Sequence, residues 1–169
     1  MCGSEMTIED QYGRDTEGES RWEAPIAWQS GAAAGFVATL ATILVVLPLE
    51  PEFFGDTIAG MYGLEGVLVA GLLAHLIHGT LFGVVFAAVL SDPILVGVTN
   101  SLQRSVLAGL IFAMVLAVVG TGFILPTWMQ FVGLTDLPEI PYLTETLVGW
   151  HALYGLVLGA VFPFLIERL

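Results

Sequence analysis

Lysine is absent from this 169-residue chain, and arginine occurs only four times. An extended nucleic-acid interface is thereby excluded, because phosphate binding rests on clustered cations. Cysteine is as scarce: Cys2 stands alone, which rules out a disulfide scaffold. The opening residues, MCGSEMTIED, lack the basic segment of a secretory signal and the apolar stretch that would precede a lipoprotein cysteine. A reduced cytoplasmic thiol is therefore expected at Cys2. Charged residues make up only 12% of the chain against 56% hydrophobic, yet the formal net charge is −12. A soluble domain this apolar would leave large greasy patches in water, so the acids and the apolar residues must occupy different stretches.

They do. Ala24 to Leu49 is a run of 26 residues without formal charge, Gly66 to Ser91 another 26, Ser105 to Thr135 a run of 31 and Thr146 to Ile166 one of 21. Each exceeds the roughly 20 apolar residues with which a helix crosses a bilayer. The runs are continuously apolar rather than alternating, which excludes a transmembrane barrel. An all-α membrane domain over residues 24–169 follows, a four-transmembrane-helix bundle with helices at about 25–49, 64–91, 103–126 and 142–167. Residues 1–23 hold seven acids and two arginines with little to pack, and read as an acidic, disordered cytoplasmic tail.

Arg14 and Arg21 precede the first span, Arg104 lies between the second and third, and Arg168 follows the fourth. All four arginines fall on one face, so the positive-inside rule places both termini in the cytoplasm of a multi-pass cell-membrane protein. The charge then divides into −5 inside, from four arginines and nine acids, and −7 outside, from seven acids alone. Two acidic faces without lysine suit a cell whose cytoplasm and medium are both very salty, where screening weakens like-charge repulsion.

The most specific pattern is internal. His75-Leu-Ile-His78-Gly79-Thr-Leu-Phe-Gly83-Val-Val85-Phe86 and His151-Ala-Leu-Tyr154-Gly155-Leu-Val-Leu-Gly159-Ala-Val161-Phe162 coincide at five of twelve positions with an offset of 76. Apolar composition alone would give about one coincidence. The first and third spans echo each other through Gln29 and Gly35 against Gln103 and Gly109, and each leads into a Leu-Pro pair. Two tandem copies of one helical hairpin, a parallel internal repeat, are inferred, related by an axis along the membrane normal. Spacings of three and four put histidine, glycine and phenylalanine on one stripe of each helix. Gly79 and Gly83, Gly155 and Gly159, Gly31 and Gly35, and Gly109 with Ala113 are candidate helix-packing positions, since small residues four apart let backbones approach in lipid. The second and fourth helices are expected to face each other near the axis.

All three histidines lie within predicted spans. His75 is nine residues from Gly66, about 14 Å into the bilayer at 1.5 Å per residue. Ionisable residues at such depth are candidates for function, and His75, His151, His78 and Tyr154 form the candidate cofactor-binding set. In the bland reading each imidazole hydrogen-bonds across helices and holds the bundle together. The sharper readings are a haem b held between His75 and His151, a copper or zinc site using His75, His78 and His151, and a proton or quinone site that adds Tyr154. The haem reading carries its own objection: glycines beside the histidines leave room for a porphyrin edge only if no helix crosses there. A metal site lacks a thiolate or intramembrane carboxylate to complete its shell, and Met61, Met114 and Met129 stand in no fixed relation to it. Trp28, Trp128, Tyr142 and Trp150 read as interfacial anchors. Pro126 is expected to end or kink the third helix. No Walker-type loop, nucleophile elbow or H-E-x-x-H motif occurs.

The acid-rich tail, the missing lysine and the His151-x-x-Tyr154-Gly155-x-x-x-Gly159-Ala-Val-Phe162 helix resemble a group of small four-helix membrane proteins of halophilic archaea. Most of these are uncharacterised, and some carry a histidine-kinase label. The resemblance covers all four spans, and it implies a membrane bundle. The kinase label is not expected to apply here, because no nucleotide-binding segment is present, and the doubled His75 and His78 has no place in the shared pattern.

These features point first to a non-enzymatic integral membrane protein, an accessory or assembly subunit of a larger complex that packs against other membrane subunits or itself and holds no cofactor. A haem- or metal-binding electron-transfer or proton-conducting subunit is the alternative. A small transporter is the third reading, and it would be favoured by Thr39, Thr42, His75 and His151 lining one pocket.

Overall fold

The computed structural model describes residues 25–135 and 137–168, so the acidic tail at residues 1–23 lies outside them. α1 runs Pro25–Val46, α2 Leu68–Leu90 and α4 Glu145–Ile166. α3 is composite: α-helical over Leu102–Val115, π-helical over Leu116–Ile124 and α-helical again over Leu125–Phe131. Trp28–Val46, Leu68–Leu90, Leu102–Phe131 and Glu145–Ile166 are each long and apolar enough to cross a membrane. Leu44, Ile77, Leu81, Ile111 and Phe164 are more than half exposed on the outside of the bundle, a liability in water but ordinary against lipid. Among the described residues there is no strand.

The boundaries differ from the sequence expectation in four places, each with a local cause. α1 stops at Val46 rather than residue 49, because Pro48 disfavours helical backbone at Leu47. α2 starts at Leu68 rather than residue 64, since Gly66 has φ +83°, a left-handed conformation that interrupts a helix. α3 runs through Pro126 to Phe131. Pro126 has no N–H to offer the Gly122 carbonyl, and the Tyr142 N–H donates to that oxygen instead at 2.9 Å. α4 begins at Glu145 rather than near Pro141, where Thr144 has extended backbone and its hydroxyl accepts from the Leu147 N–H at 3.1 Å. His75 and His151 therefore lie seven and six residues from the starts of α2 and α4. Both sit about 10 Å in from the same end of the bundle, less than halfway along their helices.

Each hairpin is closed by glycine. A Cβ on Gly35 would fall 2.5 Å from the Gly79 carbonyl oxygen and 2.8 Å from the Gly83 Cα, so α1 and α2 touch backbone to backbone. A Cβ on Gly155 would fall 2.5 Å from the Gly109 carbonyl oxygen, and one on Gly159 2.7 Å from the Val106 Cα, so α3 and α4 do the same. All seven expected packing glycines thus lie in two crossings, one within each hairpin. The hairpins join through Ala34 and Ala38 of α1, Phe86, Ala87 and Leu90 of α2, Ala113 of α3, and Leu158 and Phe162 of α4. The Phe86 and Phe162 rings meet edge to face at 5.4 Å.

Across the hairpins it is α1 and α4 whose backbones run close, not α2 and α4. α2 reaches α4 only through long side chains, because its glycines are already spent on α1. The termini end of the bundle is therefore tightly filled. Towards the end that carries the loops 47–67 and 132–144, a cavity lies between the helices.

Candidate functional site

This loop-side half holds a partly open cavity of about 370 Å³, within the range of small-molecule pockets. All three histidines and Tyr154 line it, with Thr39 and Thr42 from α1 and Thr121 from α3. Phe53, Phe54, Phe82 and Trp150 supply aromatic wall, and Leu116, Leu125 and Leu147 aliphatic wall. No acidic side chain lines it among the described residues.

Two π-helical segments shape this space. Leu116, Val119, Gly120, Thr121 and Ile124 of the α3 π segment face it. The wider turn of a π segment shifts the side chains that follow it, and such segments recur at functional sites. The other is Phe53–Ile58, in the loop between α1 and α2. That loop folds back over the cavity mouth instead of standing in solvent. Its backbone meets α2 at Gly71, whose missing side chain leaves room for the Phe54 carbonyl. The Gly66 N–H donates to the Gly55 carbonyl at 3.0 Å, and the Trp128 indole N–H donates to the Met61 carbonyl at 3.0 Å. Phe54 sits edge-on to the His75 ring at 5.4 Å, and Phe53 on Trp150 at 5.2 Å. Trp150, expected as an interfacial anchor, thus forms part of the cavity wall.

The histidines divide by their hydrogen bonds. His151 Nδ1 donates to the Leu147 carbonyl at 2.8 Å, a group that can only accept. Nε2 of the uncharged ring is then an acceptor, and the Thr121 hydroxyl donates to it at 3.1 Å. His78 Nε2 is hydrogen-bonded to the Tyr62 hydroxyl. These two bonds tie α4 to α3 and the capping loop to α2, as a structural role requires. His75 has no hydrogen-bond partner among the described residues, and its ring borders the open space. The Tyr154 hydroxyl donates to the Gly79 carbonyl at 2.7 Å, and Thr39 and Thr42 donate to the carbonyls of Gly35 and Ala38 at 2.7 and 2.9 Å.

The candidate cofactors meet this geometry differently. A porphyrin edge cannot use the glycines beside the histidines: the Gly79 side-chain position is filled by Thr39, and that of Gly155 by Gly109 and Ala113. Iron ligation by His151 Nε2 would also displace the Thr121 hydroxyl. Among the described residues no three of His, Cys, Asp or Glu converge as a metal site would need. An organic molecule with a polar head meets neither obstacle.

Sequence reasoning missed Thr121. Its signal is a lone hydroxyl between Gly120 and Gly122 in an otherwise apolar run. Comparison with protein-family profiles, with curated proteins and with solved structures found no match to this chain.

Proposed function

We propose that this is a non-enzymatic integral membrane protein whose inter-hairpin cavity binds a lipophilic small molecule with a hydrogen-bonding head, as a subunit working beside other membrane components. One observation carries the reading. The four residues singled out as ionisable or phenolic within the spans, His75, His78, His151 and Tyr154, line one mostly apolar cavity. Packing accounts for the glycines and for two of the histidine contacts, but not for the open His75 ring. The two glycine crossings support reading the hairpins as copies of one unit. The arginine pattern supports cytoplasmic termini, and the acid excess supports a salty habitat.

Protein purified from its native membrane in mild detergent is expected to carry about one equivalent of a single lipophile, identified by solvent extraction and mass spectrometry. Recovery of only bulk phospholipid, in the proportions of the surrounding micelle, would contradict the reading.

A small transporter is the second reading, favoured by Thr39, Thr42, His75 and His151 lining the same space. Transport requires that space to open to each face in turn. In a Cys2→Ser background, Thr42→Cys in oriented proteoliposomes separates the two. Labelling by an impermeant maleimide from both faces supports transport. Labelling from one face or neither supports a resident ligand.

A further inference from the structure

Resting on the ligand-binding reading, we infer that the cavity takes its ligand sideways from the bilayer, through a slot between α2 and α3, and that the bound molecule leaves a hydrocarbon chain in that slot. A residue that lines the cavity and is also exposed on the outside of the bundle stands at an opening. Four lining residues are more than a third exposed: Phe82 on α2, and Val115, Val119 and Ile124 on α3. No lining residue of α1, α4 or the loop 47–67 is as exposed, so the opening is on one side.

The helices agree. α1 and α2, α3 and α4, and α1 and α4 all run close, whereas α2 and α3 do not. Where α1 and α4 come together, the shared core holds Ala38 and Leu158. The positions offset from these by 74 and 76 are Phe112 and Phe82, whose rings set a wider separation between α3 and α2. Towards the termini the slot is closed by the Phe86 and Phe112 rings, which meet at 5.3 Å. At its other end the Trp128–Met61 hydrogen bond ties α3 to the loop. Between these closures the rim is hydrocarbon on two membrane-spanning helices, so what meets it is lipid.

The chemistry of the occupant follows from this division. Hydrogen-bonding groups lie inside, on His75, Thr39, Thr42 and Tyr154, and the four rim side chains offer none. The loop carrying Phe53, Phe54 and Ile58 covers the aqueous side, and a lipophile already dissolved in the bilayer reaches the polar groups without displacing it. A volume of about 370 Å³ is near the lower end for small-molecule pockets, room for a ring-sized head and not for a long chain as well. The chain stays in the slot. There it exchanges lipid neighbours for Phe82 and Val119 at almost no cost, because lipid tails are as apolar as these side chains.

The test uses the full chain in lipid nanodiscs with para-butylphenol and para-dodecylphenol, their concentrations counted per lipid and binding followed by calorimetry. The two affinities are expected to agree within about threefold, since the extra carbons have apolar surroundings before and after binding. A para-dodecylphenol with a diazirine at the chain end is expected to label Phe82, Val115 and Val119. An excess of para-butylphenol should remove most of those labels, and should leave labels on Leu44 and Phe164, exposed on α1 and α4. Butylphenol binding about tenfold more tightly than dodecylphenol, chain-end labels on Ile58 and Leu147 instead, or slot labels that persist under competition would each overturn the slot while leaving a ligand cavity in place. A native lipophile without a chain would do the same. Binding of neither phenol, in protein that carries no lipophile from its native membrane, would overturn both.

Discussion

Gly83→Leu is expected to force α1 from α2 and to lower the thermal midpoint of the purified protein by about 10 °C. Gly83 is where the two helices touch most closely. A Cβ there would fall 2.7 Å from the Gly35 Cα and 2.8 Å from the Gly35 nitrogen, and would press on the Gly31 carbonyl as well. The obstacle is backbone on every side, so no rotamer change relieves it and the hairpin has to open. Overpacking a core costs about 1–3 kcal/mol where side chains can yield, and the upper end or beyond is expected here. For a chain of this size that corresponds to roughly 6–12 °C. Opening the hairpin also withdraws Ala34 and Ala38 from the core they share with Phe86 and Leu158. Gly149→Leu is the control, because a side chain there meets nothing within 4 Å. It should stay within about 0.5 kcal/mol of the parent. An unchanged midpoint in Gly83→Leu would show that the helices do not cross at the glycines.

Gly120→Phe is expected to do the opposite: keep the fold and empty the site. A Cβ at 120 has open space around it, and the residue borders the cavity. The aromatic ring should occupy ligand volume without pushing on backbone. A ligand present at a hundred times its Kd stabilises the form that binds it by about 2.7 kcal/mol, or roughly 8 °C. The parent should show that rise in a thermal scan on ligand addition, and Gly120→Phe should show none of it. A full rise in the variant would place the binding site elsewhere.

These two glycines mark how far the sequence could be read. The four spans are visible because continuously apolar, uncharged runs of 21 to 31 residues are each long enough for a helix to cross a bilayer. Gly31, Gly35, Gly79, Gly83, Gly109, Gly155 and Gly159 are visible as packing positions because four-residue spacing puts them on one face. Which helix each face meets is not visible. The α2 glycines turn to α1 within the same hairpin, and this leaves α1, not α2, beside α4. The cavity is invisible for a related reason: its walls come from all four helices and from the loop 47–67, and only the fold brings them together. A π segment has no composition of its own, so nothing in Leu116–Ile124 announces that Gly120 and Thr121 turn inward. Pro126 argued for a helix end, and only the distant Tyr142 N–H, which takes up the orphaned Gly122 carbonyl, lets the helix go on. Nothing in the loop 47–67 announces that its backbone seats on Gly71. The histidines and Tyr154 were legible as candidates from depth alone, but their division into bonded and open rings needed the fold.

The measurement that bears most directly on the cavity is photolabelling of the full chain in nanodiscs with a diazirine-bearing alkylphenol, a lipophile with a hydrogen-bonding head, followed by peptide mapping. Labels are expected on residues that face inward from separate elements, such as Ile58, Leu116 and Leu147, and these should disappear in Gly120→Phe and under competition by the unlabelled alkylphenol. Labels confined to the lipid-facing Leu81, Ile111 and Leu156, unaffected by competitor or variant, would contradict a ligand site between the hairpins.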